Sequence, residues 1–391
     1  MRITGIDATP VAVPFRTPEL WAYGGRHGLA SVLVEVHTDE GLTGLGEAGA
    51  YPTAEIVQAV LDSVRPLVVG ESPFDIERIS KRIDVVGTWH HVRTTNPGIA
   101  AVEMACWDLV GKACGQPLVN LFGGRVRDRA EAFYYLPRTD ADGVRAAAAA
   151  AVAEGFSTAY LKVGWGDPED DRALVAAARE GGGTGLKLRV DANEAWSAGA
   201  AVRIIRDLEP YDLELVEQPV SGRNLDAMAY VRGRVGVPLL ANEATWTRYD
   251  VLACIQRQAA DVVSLDNQMD GGLLNLKRGA GICEAAALPV VKHSLGELGV
   301  ATYAAAHVIV STPNFLHASQ SYASLLADDV IAGGAPAYVD GGLPVREAPG
   351  IGVELDRDRV ERYAALYREQ PEDFTFSDPA ALRPTPLLPK R

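Results

Sequence analysis

The pattern of apolar and polar residues changes near residue 124, and it divides the chain into regions of two kinds. Residues 31–37 (SVLVEVH) alternate apolar with polar or small residues as a strand does, whereas residues 99–113 (IAAVEMACWDLVGKA) repeat apolar positions at helical spacing. Beyond 124, short apolar runs alternate with helical stretches such as DRALVAAARE. The sequence therefore predicts an α+β domain over residues 1–124, followed by repeated β–α units.

Eight strands are predicted in the second region, which is enough to close one barrel. They lie near 131–135, 157–163, 186–191, 213–217, 237–243, 261–266, 288–293 and 314–318. A doubly wound open sheet is the alternative, but no GxGxxG follows the first of these strands. We therefore predict an α/β fold with a barrel over 125–330, and a C-terminal segment over 331–391 that packs back on the N-terminal domain. That segment contains a helix (DRDRVERYAALYRE) and a Pro-rich tail from residue 379.

An ionisable residue stands at the end of six consecutive predicted strands. The residues are Lys162, Asp191, Glu217, Glu243, Asp266 and His293. Their separations of 29, 26, 26, 23 and 27 residues match the length of one β–α repeat. Because the carboxyl ends of the strands meet at one rim of a (β/α)8 barrel, where the active sites of such enzymes lie, we expect these six side chains to face one another.

Three neighbouring carboxylates, Asp191, Glu217 and Glu243, require a compensating charge. Like charges a few ångströms apart raise a pKa or recruit a cation, and ligands that are all oxygen favour Mg2+. Lys162 and His293 flank this predicted metal site and are the residue types most readily tuned to act as bases, while Asp266 is placed to orient His293. Such a site can remove the proton next to a carboxylate through an enediolate. Nucleophilic catalysis is the weaker hypothesis, because no serine or cysteine elbow motif is present.

Several longer motifs resemble one family over nearly the whole chain. They include GLTGLGEAGAY, AAVEMACWDLVGKACGQPLVNLFGG, RVDANEAW, VEQP, ANEATW, DNQMDGG, KHS and PGIGVELD. With them the sequence resembles the enolase superfamily, and within it the mandelate racemase subgroup. The resemblance implies a modified TIM barrel, (β/α)7β, with an N-terminal α+β capping domain. It also implies Mg2+ on Asp191, Glu217 and Glu243, Lys162 as one base, and a His293–Asp266 dyad as the other. The muconate-lactonizing subgroup is disfavoured, since it carries Lys where Asp266 stands.

Two positions depart from the subgroup pattern, and both bear on the substrate. Tyr160 stands where the subgroup usually has the first lysine of Lys-x-Lys, and Ser319 stands where a glutamate commonly follows the eighth strand, with His317 two positions earlier. These departures argue against a simple mandelate-like racemase. The candidate substrate contacts are Trp21, Tyr23, Arg26 and His27 on a predicted loop of the capping domain, together with Tyr160, Asn193, His317 and Ser319.

Charge and cysteine content narrow the classes of function. The 37 basic and 51 acidic residues give a net charge of −14, so we expect no nucleic-acid partner and no binding to anionic membranes. No apolar run approaches the ~20 residues of a membrane-spanning helix, and an N-terminus interrupted by Asp7, Pro10 and Pro14 does not predict export. The four scattered cysteines favour reduced thiols and a cytoplasmic location.

Together these features predict a cytoplasmic Mg2+-dependent enzyme acting on a small carboxylate, and the family resemblance implies a homo-oligomer. The favoured reaction is dehydration of a sugar acid, by a lyase (hydro-lyase) of carbohydrate acid catabolism. Racemisation or epimerisation is the first alternative, and lactone cycloisomerisation, another isomerase reaction, is the second. A catalytically degenerate barrel that binds a metal and a ligand without chemistry is the alternative of another class.

Overall fold

The computed structural model describes residues 1–87 and 92–374. Residues 375–391, which include the Pro-rich tail of the predicted C-terminal segment, lie outside the described residues. Within the described ranges, no helix combines the length and the apolar character that crossing a membrane requires.

The N-terminal domain is built on an antiparallel sheet of three strands. These are β1 (Ile3–Trp21), β2 (Gly24–Thr38) and β3 (Thr43–Gly49), in that order across the sheet. The helices that follow are α1 (Ala54–Val68), α2 (Ile76–Gly87), α3 (Val92–Cys114) and the one-turn α4 (Leu118–Leu121). Alternate residues of β2, Val32, Val34 and Val36, share a core with the apolar faces of α1, α2 and α3. The capping domain is thus the predicted α+β module, because the strand and helix periodicities each bury one face.

The predicted loop around residues 21–27 is instead the tip of a β-hairpin. β1 and β2 pair up to the turn, with Trp21 opposite Gly24 and Glu19 opposite Arg26. Glycines and polar residues in this stretch suggested a loop, but pairing across the hairpin decides its conformation. The correction matters for function, since cross-strand pairing places Glu19 and Arg26 side by side.

The second domain contains a parallel sheet of seven strands. A short strand, β4 (Arg129–Glu131), precedes them. The parallel strands, in spatial as in chain order, are β5 (Tyr134–Leu136), β6 (Thr158–Lys162), β7 (Lys187–Asp191), β8 (Leu213–Glu217), β9 (Leu239–Ala241), β10 (Val262–Leu265) and β11 (Val290–Lys292). Each is followed by one helix, respectively α5 (Ala141–Ala153), α6 (Pro168–Gly182), α7 (Ala198–Leu208), α8 (Leu225–Arg232), α9 (Arg248–Gln256), α10 (Leu273–Ala285) and α11 (Gly299–Val310). This architecture confirms the predicted α/β class with a capping domain.

The predicted strands at both ends of the barrel region differ from the structure. Residues 131–135 are divided between β4 and β5. Residues 314–318 form no regular strand: Phe315 and Ser319 make isolated parallel bridges to Val290 and Ala132. Val290 donates its N–H to the carbonyl of Asn314 (2.9 Å), Ser319 donates to that of Glu131 (2.8 Å), and Gln320 donates to that of Lys292 (2.8 Å), so the segment bonds to both neighbours without forming a regular ladder. The apolar run at 314–318 could not reveal this, because local periodicity does not contain the pairing between distant segments.

The chain beyond the barrel returns to both domains. β12 (Gly342–Pro344) pairs antiparallel with β4, and α12 (Arg357–Glu369) packs on β1. Two short 3-10 helices cover Glu209–Tyr211 and Pro371–Phe374.

Two buried glutamates of the capping domain dock onto barrel helices. Glu103 in α3 accepts the N–H groups of Leu273 (2.8 Å) and Leu274 (3.0 Å) at the start of α10. Glu47 in β3 accepts those of Leu298 (2.7 Å) and Ala301 (2.9 Å) at the start of α11. Each carboxylate satisfies N–H groups that have no partner inside the helix. The capping domain is thereby fixed over the rim of the barrel.

Candidate active site

The strands of the parallel sheet place six ionisable residues along one rim. β6 to β11 end on, or within two residues of, Lys162, Asp191, Glu217, Glu243, Asp266 and His293. Lys162 lies in register with Asp191, and Asp191 with Glu217, so these three are immediate neighbours across β6, β7 and β8. The spacing in the sequence therefore corresponds to adjacency in the structure.

Lys162 is buried and bound on two sides. Its Nζ donates to Oδ2 of Asp191 (2.7 Å) and to Oδ1 of Asn193 (2.8 Å). The hydroxyl of Tyr160 donates to the same Asp191 oxygen. Burial acts to lower the pKa of Lys162, but the charges of Asp191, Glu19 and Glu217 outweigh it and raise the pKa above its ordinary value. These carboxylates thus control how readily Lys162 releases its proton.

A buried ion pair fixes the backbone at Lys162. Arg138 donates to the carbonyl oxygen of Lys162 (3.0 Å) and pairs with Asp171 (2.7 Å). Asp171, in the first turn of α6, also accepts the N–H of Gly164 (2.8 Å). The segment that follows β6 is therefore held from both sides, which limits the positions open to the Lys162 side chain.

The three neighbouring carboxylates destabilise one another's charge. Burial, followed by the charge of Asp191, raises the pKa of Glu217 well above its ordinary value. The same two causes raise the pKa of Glu243 to about 8. Asn193 bridges the group, donating from its N–H to Asp191 (2.7 Å) and from its amide to Glu243 (2.8 Å). The cluster is one that a positive charge would stabilise.

This donor set fits a hard divalent cation. All three side chains offer oxygen, and Oε2 of Glu243 is buried without a hydrogen-bond partner in the described chain. No group of three or more His, Cys, Asp or Glu side chains within the described ranges is already arranged to hold an ion. Amides occupy part of the cluster instead, since Asn193 contacts Glu243, and Asn242 donates to Glu217 (2.9 Å). Binding a cation here would replace some of these amide contacts.

His293 and Asp266 form a hydrogen-bonded dyad. Nδ1 of His293 lies 3.0 Å from Oδ2 of Asp266, whose other oxygen accepts the N–H groups of Gln268 (2.5 Å) and Met269 (3.2 Å). Burial acts to raise the pKa of Asp266, but the hydrogen bond from His293 and the charge of Lys292 prevail and lower it. A charged Asp266 accepts a hydrogen bond from Nδ1–H of His293, which leaves Nε2 as the ring atom that can meet a substrate.

A cavity of about 310 Å3 lies between the two domains. Of the predicted site residues, its lining includes Trp21, Arg26, Lys162, Asn193, Glu243 and His293. Asp191, Glu217 and Asp266 are buried behind these residues and act through the contacts described above. The two candidate proton-transfer groups, Lys162 and His293, therefore open into the same space.

The remaining predicted substrate contacts are placed elsewhere. Tyr160 is buried, with its hydroxyl donating to Asp191, and His27 is exposed. Tyr23 is half-buried, and burial, followed by the charges of Glu194, Glu243 and Asp191, raises its pKa to about 12. None of the three belongs to the described lining of the cavity.

His317 and Ser319, expected near the substrate, also lie away from this cavity. His317 pairs with Glu214 (2.9 Å). The register of β7 and β8 skips Glu214, which contacts the buried Arg189 (3.2 Å) as well. Ser319 accepts the N–H of Lys292 (3.1 Å) and lines a separate space of about 20 Å3. Sequence spacing reveals neither the register shift between β7 and β8 nor the interruption of the eighth strand. His317 and Ser319 therefore lie outside the described lining of the cavity, although they were predicted to contact the substrate.

The cavity wall contains a buried ion pair, Glu19 with Arg26, that the sequence pattern did not predict. Glu19 accepts from Nε of Arg26 (2.6 Å) and from the hydroxyl of Tyr135 (2.8 Å). Arg26 also donates to the hydroxyls of Tyr322 (2.8 Å) and Tyr51. The hydrogen bonds of Arg26 are thus directed to the protein. Recognising residues 19–26 as a hairpin would have revealed the pairing, since Glu19 and Arg26 lie directly opposite each other.

Comparison with known proteins identifies the family. The family model described as mandelate racemase / muconate lactonizing enzyme, N-terminal domain, matches residues 3–123. The model described as enolase C-terminal domain-like matches residues 143–359. The first match covers the capping domain, and the second covers the parallel sheet from β6 to β11.

Relatives and solved structures agree with this match. The chain is 32% identical to the probable glucarate dehydratase of Streptomyces coelicolor, covering 95% of this chain and 93% of that protein. It is 28% identical to the N-succinyl-L-Arg/Lys racemase of Bacillus cereus, covering 92% and 97%. An enolase from Thermobispora bispora, solved in complex with magnesium and formate, has a TM-score of 0.89 and 32% identity over 97% of this chain and 96% of that one. The chain therefore belongs to the enolase superfamily, in the mandelate racemase/muconate lactonizing enzyme family.

Proposed function

We propose that the protein removes the α-proton of a small carboxylate substrate with the aid of Mg2+, and that the reaction is the dehydration of a sugar acid. The observation that carries this proposal is the opening of Lys162 and His293 into one cavity beside Glu243. Support for dehydration comes from the relative named a probable glucarate dehydratase, and support for Mg2+ from the related structure complexed with magnesium.

Asp191, Glu217 and Glu243 are the residues that would hold the metal. A bound Mg2+ would supply positive charge that offsets these carboxylates, lessening their effect on the pKa of Lys162, and that favours the negative charge developing on the substrate. The orphaned Oε2 of Glu243 and the raised pKa of Glu217 and Glu243 support this assignment.

The chain's own residues perform the proton transfers. Nζ of Lys162 accepts the α-proton. Its position is fixed by the hydrogen bond to Asn193 and by the hydrogen bond from Arg138 to the backbone carbonyl of Lys162. Nε2 of His293 donates a proton to the β-hydroxyl, which leaves as water, while Asp266 stabilises the charged ring through Nδ1. The proton gained by Lys162 and the proton lost by His293 are balanced through solvent before the next turnover.

Racemisation of an amino acid derivative is the second candidate. Beside its charged and polar residues, the cavity is lined by aromatic and apolar side chains that include Trp21, Trp246, Met269 and Leu295. Such walls suit an N-acyl amino acid better than a fully hydroxylated chain. In this reaction one of the two groups, Lys162 or His293, removes the α-proton and the other returns a proton to the opposite face.

Product analysis of one screen tests the proposal and separates its two forms. Hexonates, hexarates, their lactones and N-acyl amino acids are incubated with enzyme and Mg2+ in D2O and followed by proton NMR. Dehydration gives a 2-keto-3-deoxy acid, whereas racemisation gives the opposite epimer carrying deuterium at the α-carbon. Absence of both products and of α-deuterium across the panel would contradict the proposed function.

A further inference from the structure

Two of the three lysine and arginine side chains in the described cavity lining are paired with carboxylates. Arg26 pairs with Glu19 at 2.6 Å, Lys162 with Asp191 at 2.7 Å, and His293 lies 3.0 Å from Asp266. Arg93 differs, because no described residue forms an ion pair or hydrogen bond with it. Among the residues that the structure describes, the capping domain thus contributes to the cavity wall one positive charge that has no carboxylate partner.

The surroundings of Arg93 also offer donors rather than acceptors. Its guanidinium lies 5.0 Å from the ring centre of Trp246. The indole N–H of Trp246 is shielded from solvent and has no acceptor in the described chain. The neighbouring Thr94 brings a hydroxyl to the same wall. Arg93, Trp246 and Thr94 line one cavity and carry a guanidinium, an indole N–H and a hydroxyl, each of which can donate to a carboxylate.

We infer that the cavity selects substrates with a second carboxylate remote from the reacting carbon, and that Arg93 binds this group. The inference rests on the proposed function, in which the first carboxylate is the one next to the α-proton that Lys162 removes. Met269 and Leu295 line the same space and tolerate an apolar connection between the two groups. Hexarates and N-succinyl amino acids share this chemistry, whereas hexonates and N-acetyl amino acids lack the second charge.

Binding of dicarboxylates of graded length tests the inference without requiring turnover. The dicarboxylates from succinate to pimelate are titrated calorimetrically into the full-length protein with Mg2+, each beside its mono-amide. The mono-amide preserves the shape but removes the second charge and replaces one acceptor oxygen with an NH2 donor. Since Arg93 can form an ion pair only with the carboxylate, we expect at least one dicarboxylate to bind about tenfold or more tightly than its mono-amide.

Three variants make the result specific to Arg93. Arg93→Gln should remove the preference for the dicarboxylate, and Arg93→Lys should retain part of it. Arg172→Gln, which changes an exposed arginine on α6 outside the cavity lining, should leave the preference intact. Equal affinity for every dicarboxylate and its mono-amide, no binding of either, or a preference that survives Arg93→Gln would each overturn the inference.

Turnover assays then show which of two classes of compound, hexarates or N-succinyl amino acids, supplies the second carboxylate. Exchange or product formation with hexarates identifies a diacid sugar, and with N-succinyl amino acids an acylated amino acid. Absence of α-proton exchange with both, alongside a preference that depends on Arg93, would contradict the proposed function while leaving the second-carboxylate site in place.

Discussion

Single side chains in this site are controlled by the neighbours that fix their hydrogen bonds. Lys162 is directed by Asp191 and Asn193, and His293 is directed by Asp266. Each proton-transfer group is therefore held by at least one carboxylate before a substrate enters. The candidate residues at the strand ends were predictable, because strand spacing alone brings them to one rim. The partners Asn193 and Arg138 were not predictable in these roles, because their contacts depend on how each loop folds back.

Asp266→Asn should impair proton donation by His293 while leaving proton removal by Lys162 largely intact. Loss of the carboxylate removes the charge that stabilises a protonated His293 and the acceptor that fixes Nδ1. Turnover is therefore expected to fall by about 10²–10⁴-fold. Exchange of the α-proton through Lys162 should fall much less. Both quantities can be measured in one NMR time course, with Asp226→Asn, an exposed aspartate on α8, as the matched control. Unchanged turnover in Asp266→Asn would rule out the orienting role.

Individual elements are positioned by buried polar contacts at their ends. Helix α11 begins on Glu47 and, near its last turn, is tied by His307 to two other segments. Nδ1 of His307 accepts the N–H of Val119 (3.1 Å), and Nε2 donates to the carbonyl of Ile351 (3.1 Å). His307 is fully buried, and this burial lowers its pKa to about 4.

His307 should make the stability of the protein depend on pH. Its folded pKa of about 4 lies below the ordinary value of 6.5. The unfolded chain therefore takes up a proton first as the pH falls. The contribution of His307 to the free energy of unfolding is complete above pH 6.5 and is lost as the pH falls to about 4. Between these values the free energy of unfolding changes by up to about 1.4 kcal/mol per pH unit. Urea unfolding at pH 7 to 4 should give a shallower dependence for His307→Gln than for the wild type. Identical slopes would contradict the account.

The elements also show where sequence patterns suffice. Helix α12 and the strands β6 to β8 lie within a few residues of their predicted positions, whereas α3 contains its predicted segment but begins at Val92 rather than at residue 99. The hairpin tip at residues 21–27 and the interrupted eighth strand do not follow their predictions. Both depend on pairing between segments that local periodicity does not contain, and the displaced positions of His317 and Ser319 follow from the same cause.

At the scale of the whole molecule, the cavity exists because the two domains are locked together. Glu103 and Glu47 reach from the capping domain to the first turns of α10 and α11. Trp21, Arg26 and Arg93 are thereby brought over the barrel rim that carries Lys162 and His293. The net charge of −14 makes the average surface anionic, yet Arg93 places a positive charge in the cavity wall, so a small carboxylate can bind where a polyanion is repelled.

Glu103→Ala should weaken this connection between the domains. The substitution leaves the N–H groups of Leu273 and Leu274 without their acceptor in a buried interface. A loss of about 1–3 kcal/mol in the free energy of unfolding is expected. Urea denaturation followed by circular dichroism measures this, with Glu361→Ala on the exposed face of α12 as the control. Equal stability of the two variants would contradict the docking role assigned to Glu103.

The central claim, that Lys162 and His293 exchange the α-proton of a carboxylate beside a divalent metal, is tested most directly by isotope exchange. Wild-type enzyme with Mg2+ in D2O should place deuterium at the α-carbon of a substrate or its product. Removal of Mg2+ by chelation, or the Lys162→Ala/His293→Asn double substitution, should abolish the exchange in protein that remains folded. Exchange or turnover that persists unchanged in the double variant would contradict the account.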